Sequence, residues 1–153
     1  MRIILLWIGK TKDPCLSKLV ADYSERIRHF VELSVVELKP GEGNAPRRIL
    51  DKEEARLLEK VSDKDFLILL DPQGEELTSI ELAEWMGEFR SHSTKRLVFV
   101  LGSHCGVGAG VKSKANRLLS LSRMTFTHEM ARVVLLEQIY RALTVIHHVP
   151  YHK

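Results

Sequence analysis

Short apolar runs alternate with amphipathic stretches from one end of the chain to the other, and this alternation constrains the fold more than any single motif. Arg2–Ile8 is β-branched and apolar, and Gly9 closes it. Such a run suits a strand buried on both faces, as in a parallel sheet. Leu33–Leu38, Phe66–Leu70 and Leu97–Leu101 repeat the pattern, and Leu119–Phe126 alternates enough to predict a fifth strand. Between the runs lie helical stripes. Pro14 suits a first helical turn, and Leu16, Leu19, Val20, Tyr23, Ile27 and Phe30 follow on one face. Ile49, Leu50, Ala55, Leu57 and Leu58 mark a charged amphipathic helix ending near Val61. Thr78 or Ser79 is a candidate cap for a third helix carrying Ile80, Leu82, Ala83, Trp85, Met86 and Phe89. A short helix is predicted over Val111–Leu118, and a last one from near His128 to about His147, ahead of Pro150. Lys39–Arg48 reads as a loop and Asp71-Pro72-Gln73-Gly74 as a turn. The alternation predicts an α/β fold, a mostly parallel sheet with helices on both faces, in a single domain over residues 1–153.

At 153 residues the chain can bury a full core without a disulfide or metal staple. Its longest apolar run, Ile3–Ile8, is six residues, far short of a membrane span, and no targeting segment is read. Cys15 and Cys105 form neither a disulfide framework nor a metal spacing, which points to a reducing, cytoplasmic setting. A net charge of +3 permits an RNA partner without establishing one.

In an open parallel sheet, ligands bind beyond the carboxyl ends of the strands. Leu70–Gly74, Gly102–Gly110 and Leu121–His128 fall there and can converge on one crevice. Gly102–Gly110 holds four glycines in nine residues. It reads either as a cofactor loop or as a plain turn, and it matches neither the dinucleotide fingerprint nor the P-loop. His128 reads as a helix cap or, with Arg132, as part of a substrate site. The C-terminal His147-His148-Val149-Pro150-Tyr151-His152-Lys153 reads as a solvated tail or as an RNA-facing segment that stacks a base and meets phosphate. It offers no standard zinc spacing, so no metal is expected. Glu137 and Arg141 read as a surface pair, Trp7 and Trp85 as core, and Arg47, Arg48 and Lys52 as a solvated face.

One signature goes further. Leu97–Leu101 runs into Gly102, with Gly106 four residues on; Leu121-Ser122, His128, Arg132 and Glu137-Gln138-Ile139-Tyr140-Arg141-Ala142 follow, and Pro150-Tyr151-His152-Lys153 closes the chain. With Arg48-Ile49-Leu50-Asp51-Lys52-Glu53 and Leu70-Asp71-x-x-Gly74, the sequence resembles the ribosomal RNA large subunit methyltransferase H family over nearly its whole length. The resemblance implies a SPOUT-class fold with a C-terminal trefoil knot, working as a homodimer on the ribosome. It implies transfer of methyl from S-adenosyl-L-methionine to N3 of pseudouridine 1915 in the 23S ribosomal RNA. By position it assigns Leu70, Gly102, Leu121, Ser122, Arg123, Met124, Thr125 and Phe126 to the cofactor. It assigns His128, Arg132, Tyr151, His152 and Lys153 to the RNA. Ser103 stands where the family usually has a second glycine, and Val149 where it usually has histidine.

That chemistry needs alignment of N3, methyl and sulfur, and a home for the N3 proton. Histidine suits the second task, which makes His128 and His152 the candidate proton acceptors. Arg132 is the candidate stabiliser of charge developing on the base. Two alternatives stay open: a methyltransferase of the same fold acting on another RNA position or tRNA, and a non-catalytic ribosome-binding module, suggested by Ser103.

Overall fold

The computed structural model describes residues 1–91 and 96–151. Five parallel strands form one sheet: β1 (Arg2–Ile8), β2 (Glu32–Leu38), β3 (Phe66–Glu76), β4 (Arg96–Leu101) and β5 (Arg117–Ser120), in the spatial order β2-β1-β4-β3-β5. Five helices connect and cover them: α1 (Pro14–Arg28), α2 (Pro46–Lys60), α3 (Ser79–Ser91), α4 (Ala109–Lys114) and α5 (His128–Ile146). The expected α/β fold with a parallel sheet and helices on both faces is the one observed.

The strands are apolar throughout because both sheet faces are covered. Side chains alternate across a strand, so Ile3, Leu5 and Trp7 of β1 enter one core while Ile4, Leu6 and Ile8 enter the other. In β4, Leu97, Phe99 and Leu101 divide from Val98 and Val100 in the same way. The first core lies beneath α1, α3 and α5, with α5 packed against both of the others; α2 and α4 pack together over the second. Complete burial of one such Leu, Ile or Phe is worth about 2 kcal/mol, so the central strands β1 and β4 anchor the fold.

Helix starts follow from local chemistry. Asp13 caps α1 by accepting from the amides of Cys15 and Leu16, with Pro14 in the first turn. Thr78 and Glu81 form a capping box on α3: the Thr78 hydroxyl accepts from the Glu81 amide, and the Glu81 carboxylate accepts from the Thr78 amide. The cap of α5 is Thr127, whose hydroxyl accepts from the Met130 amide; His128 is the first helical residue and not the cap.

Several boundaries differ from expectation: α2 begins at Pro46, inside the expected loop Lys39–Arg48. The expected turn at Asp71–Gly74 does not end β3: these four residues bulge out of the ladder, Leu70 and Glu75 both pairing with Leu119, and the strand resumes to Glu76. Gly74 makes this possible: a Cβ there would lie 2.6 Å from Leu118 C and Leu119 N, so β5 passes where only glycine leaves room. The short helix spans Ala109–Lys114, and β5 follows at Arg117–Ser120 instead of Leu119–Phe126. The expected strand ends early because its chain is caught in a turn. Ser120 Oγ donates to the Ser122 carbonyl, and Ser122 Oγ accepts from the Met124 amide.

Candidate active site

Residues 121–126, freed from the sheet by that turn, become one wall of a cleft at the carboxyl ends of β3 and β5. The cleft encloses about 150 Å³, lined by Leu70, Asp71 and Pro72 on one side and by Leu119 through Phe126 on the other. Its floor is apolar, and its rim carries Ser122, Arg123, Met124 and Thr125. Arg123 and Met124 stand far out in solvent, their exposures 92% for the Arg123 side chain and 74% for Met124. Asp71 is fixed at the edge: one oxygen accepts from the Gln73 amide and the other pairs with Lys112 at 2.9 Å. The Lys112 ammonium and the Gln73 amide together hold the Asp71 carboxyl below the usual carboxylate range, against a smaller upward push from burial.

Seven of the eight residues assigned to the cofactor by resemblance thus share one cleft: Leu70 and the run Leu121–Phe126. Gly102 does not line it. Gly102 ends β4, next to β3, and its lack of a side chain has a local cause. A Cβ would sit 2.5 Å from the Gly106 carbonyl oxygen and from Val107 Cγ2, where the glycine-rich loop folds back on the strand end. That loop is a tight turn, with the Gly106 amide donating to the Ser103 carbonyl at 2.9 Å and Gly106 at φ +86°.

Two acidic side chains of α2 hold this loop. Glu53, only 3% exposed, accepts from the Gly41 amide at 2.9 Å and from the Ser103 hydroxyl at 2.7 Å, tying the loops after β2 and β4 together. Ser103 therefore makes a bond that a glycine in its place does not. Glu54 accepts from the amides of Gly110 and Val111 and so caps α4 from outside, where Gly108 offers no side chain to do it. Glu53 has a trace in the sequence, since it shares the Ile49 and Leu57 face of α2; Glu54 has none.

The RNA-assigned residues lie elsewhere. His128 is exposed at the start of α5 and lines a second crevice with Ser103 and His104, not the cleft beside Leu70. Arg132 is 1% exposed. Its Nη2 donates to the Ile8 carbonyl at 2.7 Å and its Nη1 to the Thr11 hydroxyl at 2.9 Å, and its guanidinium lies 5.1 Å from the centre of the Trp7 ring. Burial lowers the Arg132 pKa, partly offset by Glu129 and Glu37. Tyr151 packs edge-on against Tyr140 at 4.7 Å, under Arg141, with its hydroxyl donating to Glu137 at 3.3 Å. The expected surface pair Glu137–Arg141 is accordingly half-buried, a platform for Tyr151. His152 and Lys153 lie outside the described residues. Trp7 is fully buried and Trp85 half-buried, and Arg47, Arg48 and Lys52 are exposed, in line with the sequence reading. Among the described residues no group of three or more metal-ligating side chains is placed to hold an ion, and no helix is long and apolar enough to cross a membrane.

Comparison with known families speaks to the chain as a whole. The family model described as "Predicted SPOUT methyltransferase" matches residues 1–152. The chain belongs to the SPOUT methyltransferase family. Its relatives include proteins named ribosomal RNA large subunit methyltransferase H. Those of Trichlorobacter lovleyi and Geobacter metallireducens are each 41% identical over 152 residues, covering 99% of both chains. That of Geobacter sulfurreducens is 40% identical over the same span. Within the SPOUT methyltransferases, the chain is a member of the large subunit methyltransferase H family.

Proposed function

We propose that this protein is an S-adenosyl-L-methionine-dependent methyltransferase that methylates N3 of pseudouridine 1915 in the 23S ribosomal RNA. The observation that carries the reading is the cleft. Leu70 and Leu121–Phe126, distant in sequence, line one cavity at the strand ends where α/β folds bind ligands. The name of the relatives, a methyltransferase of the large-subunit RNA, supports the substrate class.

The residues present suit the cofactor. Leu70, Pro72, Leu119, Leu121 and Phe126 give apolar walls for a flat heterocycle. Ser122, Thr125 and the backbone of the 120–124 turn give polar partners along the rim for the remainder of the molecule. The cofactor, when bound, supplies an electrophilic methyl group. The chain's own part is to orient the base, exclude water and receive the N3 proton, for which His128 and His152 are the proposed acceptors. Arg132 serves as a positioning residue: its buried guanidinium holds the Ile8–Thr11 segment through the two bonds described above.

His128 opens on a different crevice from the cofactor cleft, which favours a site completed by a second copy. Met124, exposed on the rim of the cleft, supports such a homodimer. In it, the Tyr151–Lys153 tail of one protomer serves RNA held at the cleft of the other. The test is transfer of labelled methyl from S-adenosyl-L-methionine to isolated large ribosomal subunits, free 23S RNA and tRNA, side by side. Incorporation confined to a pseudouridine of the large-subunit RNA supports the proposal. Label in tRNA alone, or cofactor binding with no transfer to any RNA, sinks it.

A further inference from the structure

The second crevice is larger than the cofactor cleft and has a charge pattern of its own. It encloses about 430 Å³ over the carboxyl ends of β1, β2 and β4. Lys10 and Lys12 enter it from the loop after β1, His104 from the loop after β4, and His128 from the start of α5. Two carboxylates also face it, but their oxygens are engaged. Glu53 is held by the Gly41 amide and the Ser103 hydroxyl, and Glu129 by the amides of Lys12 and Asp13 at 3.0 and 3.1 Å. Neighbouring Asp13 is engaged as the cap of α1. The described ion pairs include neither Lys10 nor Lys12, and both side chains are exposed.

A second observation has the same sign. Directly behind the wall, bonded to Ile8 and Thr11 on either side of Lys10, lies the buried guanidinium of Arg132. It makes no described salt bridge, and its Nε has no hydrogen-bond partner among the described residues. Glu129 and Glu37 act on it without a described ion pair, and a buried cation that lacks a direct partner is costly to maintain. An anion in the crevice in front of it would recover part of that cost. Two lysines and two histidines line the crevice in front of this fixed charge, while its two carboxylates, still charged, already accept from the protein's own amides and a hydroxyl.

We propose that this crevice is a phosphate subsite, which holds a phosphodiester of the RNA strand whose target base is presented at the neighbouring cofactor cleft. The inference rests on the function proposed above and adds the part of the substrate that is gripped. The geometry is consistent with one strand reaching both places. The crevice is centred on β1 and the cleft on β3 and β5, two to three strand spacings away, or roughly 10–15 Å. A few nucleotides cover that distance. Phosphate contacts of this kind set the register of an RNA without reading its sequence.

The test is equilibrium binding of the full chain to a stem-loop RNA across a salt series, run without cofactor so that it does not depend on turnover. Each lysine–phosphate contact contributes about 0.7 to the salt slope on a single strand, which at 0.15 M salt is about fourfold in affinity. Lys10→Ala combined with Lys12→Ala is therefore expected to weaken RNA binding roughly 14-fold at that salt and to lower the slope by about 1.4. Lys10→Arg with Lys12→Arg is expected to restore both, and S-adenosyl-L-methionine binding to remain at the wild-type level in both double variants. Wild-type affinity and slope in a folded Lys10→Ala, Lys12→Ala protein would overturn the proposal. A parallel titration with inorganic phosphate separates the sources of the anion: phosphate binding lost in the alanine variant while RNA binding is unchanged would assign the site to a free anion and overturn its RNA role. A wild type that binds RNA with the expected slope but transfers no methyl would refute the function proposed above and leave the subsite standing.

Discussion

Replacing Glu53 by alanine tests whether a buried carboxylate organises the rim of the site. Its oxygens accept from the Gly41 amide at 2.9 Å and the Ser103 hydroxyl at 2.7 Å, and the residue is 3% exposed. Truncation leaves both donors without partners, at about 1–3 kcal/mol each. Relief from burying the carboxylate offsets part of this. A net loss of about 2–4 kcal/mol is expected, which for a chain of this size lowers the melting temperature by roughly 4–16 °C. Glu53→Gln should cost only about 1 kcal/mol, because an amide can accept from Gly41 while donating to the Ser103 hydroxyl. The assay is thermal and urea unfolding of both variants, with the RNA KM measured alongside. Since Ser103 and His104 line the basic crevice, Glu53→Ala should raise the RNA KM by more than the KM for S-adenosyl-L-methionine. A Glu53→Ala protein at least as stable as wild type would show that burying the charge costs more than its two bonds return, and the reasoning would be wrong.

Other expectations follow from single contacts. Burial pushes the Asp65 carboxyl up, but Arg96, bonded to both its oxygens at 2.6 Å, and the Ser62 amide together hold it below its ordinary value. A depressed folded pKa contributes stability that is present above the unfolded value of about 3.9 and is lost as pH falls through the folded value. Asp65→Asn should therefore lower stability at pH 7 and flatten its decline below about pH 4; an unchanged acid limb in denaturant titrations would contradict this. Gly74→Ala forces a Cβ against the backbone of Leu118 and Leu119 and should cost about 3 kcal/mol, read as a lower urea midpoint. Thr78→Ala removes one half of the α3 capping box and should cost about 1 kcal/mol in the same assay.

The fold was largely legible because its strands carry their burial in their composition. A run such as Ile3–Ile8 has no polar face, so it fits only a sheet covered on both sides. Boundaries were less legible where tertiary contacts override local pattern. Pro72-Gln73-Gly74 has turn chemistry and does leave the ladder, yet only as a bulge, because Glu75 and Glu76 pair with β5 again. Leu121–Phe126 continues the alternation of β5, yet the Ser120 and Ser122 hydroxyls turn it off the sheet and into the cleft wall. Of the site, residues 70 and 121–126 were readable by resemblance and by the strand-end rule together. Glu54 was not, since nothing local marks a helical glutamate that caps another helix. Arg132 looked available for the base from its place near the start of α5, but its side chain points inward, to Trp7 and the end of β1.

The cleft between Leu70–Pro72 and residues 119–126 is the proposed seat of S-adenosyl-L-methionine. Calorimetric titration of that cofactor into the wild type and into Leu121→Asp tests it most directly. One site per chain is expected in the wild type, lost or weakened at least 100-fold by a carboxylate in the apolar wall, about 2.7 kcal/mol. Equal binding by the wild type and a folded Leu121→Asp protein, or no binding by the wild type, would contradict it.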